Sequence, residues 1–486
     1  MKTGFDNEKY LKMQSEHIME RIKRFDNKLY LEFGGKLFDD FHASRVLPGF
    51  AADSKLQMLM QLADQAEIVM VVSADDIEKN KIRGDLGITY DDDVIRLVDV
   101  FRSKGLYVGS VVLTKYTEQR SAVLFQKRLE NLGIKVYHHY LIPGYPTNVP
   151  LIISEDGYGK NDYIETTRPL VVVTAPGPGS GKMSTCLSQL YHEHKRGVRA
   201  GYAKFETFPI WNLPLDHPVN LAYEAATADL NDINMIDPFH LNAYGETTVN
   251  YNRDVEIFPV LKAIFMKIYG ESPYSSPTDM GVNMAGNCIF DDEACREASR
   301  QEIIRRYYNA LTGVAEGICT QEEVNKIELL MSRENISTLD RSTVTPALER
   351  AKQTNAPAAA IELSDGTIIT GKTGDLLGAT SAALLNALKE LADIPHDCMI
   401  LSPSAIAPIQ TLKTQYLGSK NPRLHTDEVL IALSATAADN EYAALALQQL
   451  PKLKGCQVHS TVILSQVDIK TLKKLECDVT YEPKTV

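Results

Sequence analysis

Residues 170 to 193 read LVVVTAPGPGSGKMSTCLSQLYHE. A short run of β-branched residues, three glycines at alternate positions and then an unbroken amphipathic stretch describe a buried strand, a tight turn and a helix. A chain built around such a unit is confined to α/β architecture. Its turn leaves the carboxyl end of a parallel strand, which is where open α/β sheets hold ligands.

The turn itself is Ala175-Pro-Gly177-Pro-Gly179-Ser180-Gly181-Lys182-Met-Ser184-Thr185. Its glycines permit the positive φ values that aim successive amides at one anion, while Lys182 supplies a charge and the helix start a dipole. Gly177, Gly179, Ser180, Gly181, Lys182, Ser184 and Thr185 are therefore the expected binding set for a phosphate-bearing ligand, such as ATP or another nucleotide with magnesium. The turn is P-loop-like rather than a P-loop: Pro176 stands where the first glycine belongs and Met183 where the magnesium-binding hydroxyl belongs. Ser184 is the nearest hydroxyl, but one helical residue rotates a side chain by about 100°. Asp75, Asp76 and Asp237, each at the end of a strand-like run, are further magnesium candidates. The strict G-x-x-x-x-G-K-[ST] pattern occurs at Gly366 to Thr373. There the first glycine sits in an Asp-Gly hairpin turn and the middle residues form a strand, so their amides belong to a ladder and not to a phosphate.

Strands expected at 29–33, 67–73, 107–114 and 134–139 alternate with helices at 7–25, 53–65, 91–104 and 118–132, the pattern of a parallel sheet. The whole reads as multidomain α/β. Residues 1–285 form an N-terminal parallel-sheet domain with a polar substrate lobe at about 198–260; 286–354 form a helical subdomain; 355–486 form a C-terminal α/β domain. In the last, strands are expected near 358–363, 366–370, 397–401, 427–432 and 460–464.

The formal net charge of −12 and the lack of any basic block with interleaved aromatics argue against a nucleic-acid partner. No apolar run is long enough for a membrane span, and the polar N-terminus is neither a signal nor a transit peptide. Seven scattered cysteines without a C-x-x-C point to a reduced cytoplasm and to no zinc. Arg83, Asp85 and Asp91 follow one strand, and Glu165 to Arg168 lead into the glycine-loop strand. If both groups reach one crevice, Lys182, Arg83, Asp85 and Arg168 are candidate catalytic residues; a structural ion-pair network explains them equally well. The segment His217 to Asp254, dense in Asn, Asp and Tyr, is expected to be a recognition surface or an oligomer contact.

Together with KIRGDLGITYD at 81–91, IETTRPL at 164–170 and GCQVHSTVILSQVD at 455–468, the glycine-loop segment resembles, over the full length, a widespread bacterial family catalogued as a conserved domain of unknown function. Some of its members carry the label ATP-dependent peptidase. The resemblance implies a bacterial cytoplasmic homo-oligomer. No G-x-S-x-G elbow, H-E-x-x-H or Cys/His motif supports the peptidase label. The C-terminal part also resembles, faintly, the cytidine deaminase fold, with Thr380-Ser381-Ala382 and Pro403 to Ala407 where that fold places its zinc ligands. Zinc deamination is therefore not expected.

Three functions compete. The first is an ATP-dependent phosphotransferase or NTPase using the loop. The second is a non-catalytic phosphometabolite-binding or assembly protein. The third is a metal-free transferase or lyase around Lys372, Thr373 and Asp375.

Overall fold

The computed structural model describes residues 2–35, 37–38, 40–83 and 86–484, and the chain folds as two compact units. One comprises Thr3–Glu224 and Asn231–Arg296; the other comprises Ala225–Leu230 and the residues from Glu297 onward, with Lys2.

The first unit is built on a seven-stranded parallel sheet. Its strands are β1 (Leu29–Phe33), β2 (Ala66–Ser73), β3 (Tyr107–Thr114), β4 (Lys135–His138), β5 (Leu170–Thr174), β6 (Gly201–Phe205) and β7 (Gly281–Val282), in the order β7-β6-β1-β5-β2-β3-β4. β1, β2 and β5 are buried along their whole length, as expected of strands covered on both faces. The chain leaves β2 toward β3 and leaves β5 toward β6, in opposite directions across the sheet. Right-handed crossovers then place the following helices, Tyr90–Ser103 and Lys182–Lys195, on opposite faces, and β2/β5 is the switch point where the strand ends part. One apolar cluster confirms the face of the second helix. Tyr30, Val69, Val71, Val112, Val171, Val173 and Tyr202 pack there with Cys186, Leu187 and Leu190.

Two features of this unit differ from the sequence expectation. Gly201–Phe205, read as part of a peripheral lobe, pairs in parallel with β1 over five residues and belongs to the central sheet. Its partner lies far away in sequence, so local pattern could not place it. The rest of the polar segment forms a helix, Pro218–Ala226, and a small antiparallel pair, Asn234–Ile236 with Val249–Tyr251.

In the second unit three helices, Asp292–Ala315 (begun in the first unit), Gln321–Arg333 and Val344–Thr354, precede a four-stranded sheet. Its strands run in the order Ile368–Lys372, Ala358–Glu362, Gln457–Ser460 and Asp478–Tyr481. The Asp365-Gly366 hairpin forms as read. Two expected strands do not. Residues 427–432 lie in the helix Thr426–Thr436, capped by His425 and Glu428, with Val429, Ala432 and Leu433 buried at helical spacing while Ile431 is exposed. The run EVLIAL has strand composition, but burial every third or fourth residue decided for helix. Residues 397–401 form no strand and run as a turn residue followed by bends and irregular chain. The third strand of a deaminase-like layout is thus missing, and the last expected strand lies at Gln457–Ser460 instead of 460–464.

Candidate functional site

The glycine loop lies at the carboxyl end of β5, in the switch-point crevice. Gly179 and Gly181 adopt φ of +74° and +94°, and Gly181 caps the Lys182–Lys195 helix in the left-handed region. Both conformations require glycine. Thr114, at the end of β3, holds the loop down by donating its hydroxyl to the Ser180 carbonyl at 2.7 Å, and Ser180 Oγ donates to the Gly177 carbonyl at 2.9 Å. Over the other side stands Tyr90, whose hydroxyl occupies the space a Cβ on Gly177 would need.

This shape has a consequence for the backbone. Among the described residues, no acceptor receives the amides of Gly177, Gly179, Ser180, Gly181, Lys182, Met183 or Ser184. Ser180 is fully buried, and so are Ser73 at the end of β2 and Thr185 in the first helical turn, whose hydroxyls also lack a partner. Buried donors without acceptors are costly and rare. Lys182 is half-buried, and no described carboxylate pairs with it. Among the described residues, the loop thus presents a run of backbone donors without acceptors beside the ammonium of Lys182.

The other expected site residues fare differently. Arg83 is spent on Asp93 at 2.8 Å, a fully buried carboxylate that Arg96 also contacts. Arg168 precedes β5 and so lies at the opposite, amino edge of the sheet. There it donates to the carbonyls of Ala63 and Ala66 and stacks on Tyr107, so the expectation that it reaches the loop is corrected. Asp85 lies outside the described residues. Asp76 pairs with Lys81, and Asp75 at the end of β2 accepts from Gln119. Asp237 caps the helix Pro238–Tyr244, accepting from the amides of Phe239, His240 and Thr278 and from the Thr278 hydroxyl. Its four acceptor positions are filled, so it is a structural cap and not a magnesium ligand. Asp237→Ala is expected to cost about 2 kcal/mol, with a thermal midpoint that magnesium or chelator does not change.

The residues present do not fit a P-loop magnesium. Met183 packs into the apolar cluster, and Ser184 faces the phenols of Tyr145 and Tyr158, both of which burial pushes up in pKa. Among the described residues, no three His, Cys, Asp or Glu side chains converge as a metal site.

Sequence reasoning missed a second polar group beside the loop. On the face of the Lys182–Lys195 helix, strands that are apolar at Tyr30, Val71, Val112 and Tyr202 turn polar two residues later, at Glu32, Ser73, Thr114 and Lys204. Lys204 Nζ pairs with Glu206 at 2.8 Å and with Asp254, and Tyr202 donates its hydroxyl to Glu32 at 2.7 Å. Burial first, and the charge of Asp254 after it, push the Glu206 carboxyl up from 4.5 to about 7 against the opposing pull of Lys204. The available signal was an acid inside the apolar strand LYLEF; nothing marked Lys204 or Glu206.

Two further constellations are structural. In the strict P-loop pattern, Gly371 pairs with Ala359 in the ladder, and a Cβ there would strike the Ala383 amide of the packed helix. Lys372 and Asp375 are exposed. Ser465, His425 and Asp468 meet, but Ser465 donates to Asp468 at 2.7 Å, and the imidazole turns the same nitrogen, Nδ1, to both. That joins two helix starts and does not have the relay order of a hydrolase triad.

Fold and site define an open parallel α/β protein with a glycine-rich, amide-lined loop at its switch point, joined to a second α/β unit. The chain belongs to the family described as "Domain of unknown function DUF1846", whose N-terminal part matches residues 3–335 and whose C-terminal part matches residues 339–485. It is similar to the UPF0371 protein of Corynebacterium aurimucosum, with 61% identity over 481 residues covering 99% of this chain and 97% of that protein. The UPF0371 protein of Streptococcus sanguinis is 57% identical over 482 residues, covering 99% and 98%. Among the described residues, no helix is long and apolar enough to cross a membrane.

Proposed function

We propose that the chain binds a phosphate-bearing small molecule, a nucleotide or phosphorylated metabolite, with the phosphate in the Gly177–Thr185 loop. The observation that carries this reading is the row of seven backbone amides with no acceptor among the described residues, one of them in a fully buried residue, beside a lysine that no described carboxylate pairs. A phosphate oxygen satisfies such donors at once, and the helix dipole adds to the attraction.

ATP hydrolysis has weaker support than binding, because the position that should offer magnesium a hydroxyl is Met183 in an apolar cluster. The acid–base group around Glu206 favours an enzyme over a passive assembly protein, since a buried carboxyl near neutrality suits proton transfer.

Thermal-shift titration with ATP, ADP and phosphorylated sugars, with and without magnesium, tests the loop. Wild type should be stabilised by at least one of them and Lys182→Ala far less; at a hundredfold excess over Kd the stabilisation is about 2.7 kcal/mol. If no phosphate compound stabilises the wild type, or if both proteins respond alike, the reading is wrong.

A further inference from the structure

The group at the ends of β1 and β6 is unbalanced. Three carboxyls, Glu32, Glu206 and Asp254, surround one ammonium, Lys204. The other polar neighbours are the hydroxyl of Tyr251, which donates to Glu206 at 3.4 Å, Tyr223 and Tyr202, and the Asp232–Arg253 pair. A structural ion pair is served by one acid per base, and crowded carboxylates cannot all ionise cheaply in a buried place. The group meets solvent through Lys204 and Asp254, whose side chains are 20% and 13% exposed, with Glu206 buried behind them.

Its position relates it to the loop. Glu32 stands level with Val173 on one side and with Lys204 on the other. The loop strand and β6 are therefore two strand spacings apart, about 10 Å, with their ends at the same height. A sugar or nucleoside phosphate, whose hydroxyls stand several bonds from the phosphorus, can lie along these strand ends with its phosphate at one and a hydroxyl turned toward the other.

We propose that Glu206 and Asp254, bridged by Lys204, are a second subsite that accepts a hydroxyl of the ligand whose phosphate fills the glycine loop, and that Glu206 releases a proton to solvent as it does so. The proposal rests on the loop reading. It identifies the ligand class as a phosphate ester that carries a free hydroxyl. The ionised carboxylate is the acceptor, so binding tightens as Glu206 loses its proton.

The test measures the affinity of the full-length protein for ATP, for ribose 5-phosphate and for pyrophosphate between pH 6 and 8, in wild type, Glu206→Gln and Lys182→Ala. Wild-type affinity for at least one of the two hydroxyl-bearing probes should rise by up to about tenfold per pH unit beyond the change seen with pyrophosphate. Glu206→Gln should lose that extra slope and keep its pyrophosphate affinity. It should also melt no lower than wild type at pH 8, because it no longer buries an ionised carboxylate. Lys182-dependent binding without the extra slope, or with the same slope in Glu206→Gln, overturns the subsite and leaves the loop standing. Absence of any probe binding to wild type overturns the loop reading, and the subsite with it.

Discussion

Lys204→Met is expected to destabilise the parallel-sheet unit by about 3 kcal/mol at pH 8, the low end of the cost of removing one partner from a buried ion pair because this lysine is partly exposed. The loss should shrink markedly at pH 5. The sign follows from the groups left behind. Glu206 already binds its proton more tightly in the folded protein than unfolded, from an ordinary 4.5 to about 7. Between those values the native state holds the extra proton, so stability falls as pH rises. Without Lys204, whose charge opposes the shift, Glu206 holds its proton more tightly still, and lowering the pH neutralises what the lysine no longer compensates. Burial pulls the pKa of Lys204 down, but Asp254 and Glu206 together outweigh burial and raise it, so its contribution is fully present at both pH values in the wild type. Denaturant unfolding followed through Trp211, the single tryptophan, reads the effect. Equal losses at pH 5 and pH 8 would refute the charge argument.

Gly371→Val is expected to cost the C-terminal unit about 3 kcal/mol or more while leaving phosphate-ligand binding at the Lys182 loop intact. A Cβ at Gly371 would run into backbone, the Ala383 amide and the atoms beside it, and backbone in a packed helix yields far less than a side-chain tip. The experiment also separates the two glycine-lysine sequences. If the 366–373 pattern were the nucleotide loop, this variant would lose ligand affinity; if it is a hairpin strand pressed on a helix, only stability falls. Circular dichroism melting and ATP titration of the same protein decide between them.

Where period, turn and pairing agree, the sequence was legible. The buried runs EIVMVVS and LVVVT, the Asp-Gly hairpin and the amphipathic helices between strands stand where they were read, because each is dictated by neighbours within a few residues. The strand at Gly201–Phe205 was misplaced because its partner, β1, lies far back in the chain. EVLIAL was misread because its composition suits a strand and only its burial pattern shows a helix. In the site, the loop residues were visible as a local motif. Arg168 was sent to the wrong edge of the sheet because spacing along the chain does not say which end of a strand a flanking residue occupies.

By itself the sequence determined that residues 170 to 193 make a strand, a glycine turn and a helix, and that three glycines and a lysine there can face an anion. Those properties depend on φ freedom and on one side chain, and both are local. The tertiary structure decided that the turn opens at the switch point, that Thr114 and Tyr90 hold it there, that Met183 faces the core, and that Glu32, Lys204, Glu206 and Asp254 meet beside it. These residues are up to about two hundred positions apart in the sequence. Parallel pairing places their strands side by side, and burial gives the assembled carboxyls a chemistry that none has alone.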